Sequence, residues 1–144
     1  MKKGTKAIVI TTNGHARLVL IDDADGISRL IGCEMFDAIS LGKFGTEKTA
    51  VDMFVDDEGI LNDLPANMSA TNLAMMVSGR PFSPIRGDAV IIGADESTGE
   101  TIDCPNEMVS MVETMQLMFS GLHDQIESAV ERRRNGGQSD GQAS

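Results

Sequence analysis

Asn67, Ser69 and Thr71 are the residues of this sequence whose types and spacing come nearest to a binding site. They follow Pro65 at the start of a helical stretch, where free backbone amides, joined by a side-chain amide and two hydroxyls, make an anion site in principle. With Arg80 or Arg86 folded back beside them, such a site would take a nucleotide or another phosphate. Local charge argues the other way. Asp52, Asp56, Asp57, Glu58 and Asp63 all precede the helix with no base between them, and a helix end offers an anion only about 0.3 to 1 kcal/mol. In the simpler reading Asn67 is an N-cap whose side-chain oxygen accepts from the amide of Ala70.

The other reactive side chains are scattered. Asp22, Asp23, Asp25 and Gly26 resemble a calcium loop, but with Gly26 at loop position six, Ile21 and Gly32 occupy the first and last positions, where carboxylates are required. The cluster reads instead as a turn capping a short helix from Gly26 to Ile31. Asp56, Asp57 and Glu58 are consecutive on one turn, cannot converge on one point, and read as solvated. A metal site from Cys33, Cys104, His15 and His123 lacks any paired spacing. No nucleophile has a sequence neighbour that would activate it, and there is no phosphate-binding Gly-rich loop. The expectation is a protein without catalytic residues, metal or cofactor.

Charge narrows the partners. The 144 residues carry 22 acidic and 12 basic side chains, and six of the basic ones lie at Lys2, Lys3, Lys6 and Arg132 to Arg134. From Ala7 to Glu131, six basic residues face 21 acidic ones, a net of −15. Nucleic-acid affinity rests on neutralising phosphates, so direct binding of DNA or RNA by this acidic body is not expected. Trp and Tyr, the usual stacking platforms, are absent. No apolar run approaches the roughly 18 residues of a membrane span, and Met1 to Lys6 leads into a strand rather than a signal sequence, so a cytoplasmic protein with two reduced, buried thiols is expected.

The elements that must position these residues read as α+β. Lys6 to Thr11 and Ala16 to Ile21 form a hairpin about Asn13-Gly14. Glu34 to Leu41 and Thr49 to Val55 are further strands, with a short Ile60-Leu61 extension. A helix runs from Asn67 to about Ser78, burying Leu73, Met76 and Val77, and stops at Gly79. Arg80 to Pro84 is a rigid loop, Ala89 to Ala94 a central strand, and Glu100 to Cys104 pairs back on it. The sum is a small mixed or antiparallel sheet of about five strands with two short helices and a long C-terminal helix. The expected division is an α+β domain over 1–104, a Met-rich helix over 105–134 and a disordered tail over 135–144.

Four segments together resemble a small family known as a domain of unknown function, common in phages and mobile elements. They are Lys6 to Ile10, the acidic turn Asp57-Glu58-Gly59, the motif Leu64, Pro65, Asn67, Ala70 and Thr71, and the strand Gly87, Asp88, Val90, Ile91 and Gly93. The resemblance spans roughly residues 6 to 104. It implies a shared α+β fold and an accessory role in a mobile element, and it brings no catalytic residues.

The long helix lies beyond that span. Met108, Met111, Val112, Met115, Met118, Phe119, Leu122, Ile126 and Val130 recur at three- and four-residue spacing. Met108 to Phe119 are expected to pack on the sheet, but about 29 residues at 1.5 Å each outrun a small sheet from Leu122 to Arg134, so part of the stripe, with Met115, Met118, Leu122 and Ile126 as candidates, is expected to meet another chain. The reading is a phage-type accessory protein that binds a host protein or itself. The alternatives are an acidic mimic of nucleic acid that inhibits a host defence or DNA-handling protein, and a protein that sequesters a nucleotide signal.

Overall fold

A computed structural model describes residues 1–118, 129, 131 and 132. The chain divides into two compact units, Met1–Val112 and Glu113–Ser144. The first is α+β. In chain order it contains β1 (Thr5–Ile10), β2 (Ala16–Ile21), α1 (Ala24–Ile31), β3 (Phe36–Phe44), β4 (Thr49–Asp56), α2 (Met68–Ser78), β5 (Ala89–Ala94) and β6 (Thr101–Ile102). A third helix, α3, begins at 106 and is described to 118.

All strand pairs are antiparallel, in a six-stranded sheet of order β2-β1-β5-β4-β3, with β6 also on β5. The central place of β5 follows from its composition: Ala89 to Gly93 are all buried, as suits a strand covered on both faces. Because side chains alternate, Ala7 and Val9 of β1 join Val90 and Ile92 of β5 on one face, where Ile27 and Ile31 of α1 complete a core. Phe36 and Phe54 close its rim edge to face, 5.2 Å apart. The opposite face carries buried Ile8, Ile10, Val51, Met53 and Ile91 on the side where α2 packs against β3.

The local signals behave as their chemistry requires. Asp23 caps α1 by accepting from the amide of Gly26, and left-handed Gly32 ends it. The hairpin loop is one residue longer than a two-residue turn: Thr11 N donates to His15 O at 2.8 Å, leaving residues 12–14 to turn with Gly14 at φ 86°.

Four expectations need correction. Strand β3 does not stop at Leu41, because Gly42, at φ 117°, accommodates a bulge between Ser40 and Gly42 and the ladder continues to Phe44. In α2 the buried residues are Ala70, Thr71, Leu73 and Ala74, while Met76 faces solvent, so small residues set the packing and the larger Met is outside. Ile60 and Leu61 are in a turn, not an extension, and are 76% and 83% exposed. Of the two thiols, Cys104 is buried but Cys33 only partly so.

The two sheet margins differ. On β3 the bulge interrupts the ladder, the Arg80 guanidinium donates to the carbonyl of Ser40 at 2.7 Å, and the Asp37 carboxylate accepts from the amide of Ala38. The β2 margin has neither bulge nor proline, and its register with β1 is unbroken from Ala16 to Ile21.

Candidate functional site

The Leu64 to Thr71 motif is a knot of internal hydrogen bonds. Asn67 is fully buried. Its Oδ1 accepts from Ala70 N at 3.0 Å, and its Nδ2 donates to Ile10 O and Gly87 O, both at 2.9 Å. Its backbone amide donates to Ile85 O at 2.6 Å. Thr71, 1% exposed, donates its hydroxyl proton to Asn67 O and accepts from Ile85 N. Gly87 N donates to Pro65 O, and a Cβ on left-handed Gly87 would stand 2.9 Å from Leu64 Cδ1. Asp88 accepts from Thr12 N at 3.1 Å, tying in the hairpin. One polar node thus binds the start of α2, the end of β1 and the loop before β5, with each buried group satisfied.

The remaining predicted residues do not converge on it. Arg80 holds Ser40 O on the β3 margin, and its guanidinium lies 5.3 Å from the ring centre of Phe82. Arg86 donates to Leu64 O at 3.0 Å. Ser69 is partly buried, near Gly14. Met115 is half-buried and Met118 is 68% exposed. Leu122 and Ile126, with the helix beyond 118 and the tail, lie outside the described residues.

A cleft of about 610 Å³ lies between the β3–β4 turn and the junction of β6 with α3. Several of its charged side chains are held by groups of the chain itself. Lys6 Nζ donates to Asn106 at 2.9 Å, Lys2 lies 3.5 Å from Asp103, and Glu107 accepts from Gly45 N at 2.7 Å. The backbone amide of Lys6 donates to Asp103 at 2.8 Å and, with Lys2 nearby, holds that carboxyl below the usual range. Cys104 lines the cleft with a thiol that burial pushes up to about 12, so it is protonated at neutral pH and is no nucleophile. Burial also raises Cys33, and Asp56 adds to the shift, with Glu58 and Asp57 contributing less. Among the described residues no group of three His, Cys, Asp or Glu side chains is placed to hold a metal ion, and no helix is long and apolar enough to cross a membrane.

A family model described as a domain of unknown function, DUF3846, matches residues 5–118. The chain belongs to the DUF3846 family. The matched span of DUF3846 takes in the polar node, all of the cleft lining but Lys2, and the described part of α3, reaching past the point near Cys104 where the motifs alone give out. Among curated proteins and among solved structures there is no match.

Sequence reasoning missed the exposed leucines of β2. Leu18 is 52% and Leu20 67% exposed. Their spacing put them on one face, but whether that face is covered depends on distant elements.

Proposed function

We propose that this DUF3846 chain works by binding another protein, without catalysis of its own, and that exposed apolar side chains of α3 supply the contact. The observation that carries this reading is the exposure of Leu117 and Met118, 75% and 68%, on a helix whose first turns bury Met108 and Val112. Large apolar side chains left in water on a helix fit an apolar groove of a partner, and Met adapts to such grooves. The internal use of Asn67, Thr71, Arg80 and Arg86 supports a structural role for the most distinctive motif. An accessory role in a phage or mobile element, directed at a host protein in the cytoplasm, belongs to the same reading and rests on the family resemblance.

The test is capture of partners by the full chain carrying a photo-crosslinker at Glu113, an exposed position one helical turn before Leu117, at low and high salt. The expected result is one cross-linked protein retained at high salt and lost when Leu117→Asp and Met118→Asp are combined, with the melting temperature unchanged. A partner that binds nucleic acid and is released by salt would replace this reading with the acidic-mimic one. That alternative has its own support: Asp57 and Glu58 stand exposed beside Asp56 on the turn that follows β4. Sequestration of a nucleotide signal would appear as a thermal shift with one nucleotide of a broad panel.

A further inference from the structure

We propose that β2 is a pairing edge for a second copy of this chain, forming an antiparallel β2–β2 junction about a two-fold axis at Val19. The bond from Thr11 N to His15 O sets the phase of the hairpin ladder, so Arg17, Val19 and Ile21 direct their backbone groups at β1. The N–H and C=O groups of Ala16, Leu18 and Leu20 therefore point outward, and among the described residues no strand pairs with them. Leu18 and Leu20 flank this open row on one face and are mostly in water. The β3 margin shows how the same sheet closes an edge, by bulge, Arg80 and Asp37.

Charge selects the occupant and the direction. The strand follows His15, carries Arg17 at its second position and is followed by Asp22, Asp23 and Asp25. Arg17 makes no ion pair among the described residues. Antiparallel pairing of two copies sets each basic end beside the other's acidic end, whereas parallel pairing stacks like on like. With Val19 on the axis, Leu18 of each copy faces Leu20 of the other, and Arg17 faces the other copy's Ile21, next to the start of its acidic end at Asp22. The junction uses no residue of α3, so its failure and that of the proposed function are distinguishable.

The experiment is sedimentation of the full chain over a concentration series, with hydrogen exchange read at single amides. The expected mass rises from 15.4 kDa to twice that value, and protection at Leu18 and Leu20 rises with it. Leu18→Pro removes an outward N–H and no ladder bond. It should weaken the dimer at least tenfold, as should Leu20→Lys at an exposed site, while Leu117→Asp should not. Val19→Cys should cross-link the copies under mild oxidation. A chain that stays at 15.4 kDa throughout overturns the proposal, as does a dimer indifferent to Leu18→Pro and Leu20→Lys. So does protection of Leu18 and Leu20 that is independent of concentration, which would mean that the chain covers its own edge.

Discussion

Asn67 and Gly87 are joined by a 2.9 Å hydrogen bond from side-chain amide to backbone carbonyl, and the glycine is held there at φ 86°. Replacing Asn67 with Ala would remove a helix cap and the side-chain donor to two carbonyls, of which Ile10 O keeps its ladder pairing with Ala89. The expected loss is about 2 kcal/mol, the cap contributing about 1 and the donor lost to Gly87 O the rest. Chemical denaturation measures it. Asn67→Asp keeps the cap acceptor but sets a carboxylate against the carbonyls of Ile10 and Gly87. That burial and repulsion raise its folded pKa, so the deficit should be smallest in acid and grow as pH rises through the raised value.

Gly93 admits no side chain, since a Cβ there would lie 2.4 Å from the carbonyl oxygen of Asp103, a backbone atom. Gly93→Ala should push β6 off β5 at a cost of about 2 kcal/mol. Faster hydrogen exchange at the Cys104 amide, which donates to Lys6 O, would locate the damage; an unchanged rate would show that β6 stays in place.

Asp103 bonds to the Lys6 amide and titrates below its ordinary value. A depressed folded pKa contributes stability above the unfolded pKa, and that stability is lost as pH falls through the folded one. Asp103→Ala should therefore cost about 1 kcal/mol at neutral pH. The gap from the parent protein should narrow as the pH drops below about 4.

Cys104, 1% exposed and with its pKa near 12, should resist a thiol reagent at pH 8 until the protein unfolds. Cys33 is partly exposed, but burial and the acids around it raise its pKa too. It should react more slowly than a free thiol, and Asp56→Asn should speed it. Equal rates for the two cysteines would contradict the burial described.

What could be read in the sequence was local. The Asn67 cap, the Gly79 stop, the Asn13-Gly14 turn and the central apolar β5 each depend on residues within a few positions of one another. What escaped reading depends on distance. The two carbonyls that engage Asn67 Nδ2 are 57 and 20 residues away, and the partner of Asp103 is 97 away. Gly42 signals a break by composition, and only a neighbouring strand makes it a bulge. Met76 looks like core by hydropathy, but its place on α2 faces outward once Leu73 and Ala74 have taken the sheet.

The Arg80 guanidinium on Ser40 O has a consequence for how many molecules can join. A sheet with two receptive margins adds subunits without end and becomes a fibre. Here one margin is already stoppered from within the same chain, so growth through the other terminates at a closed pair.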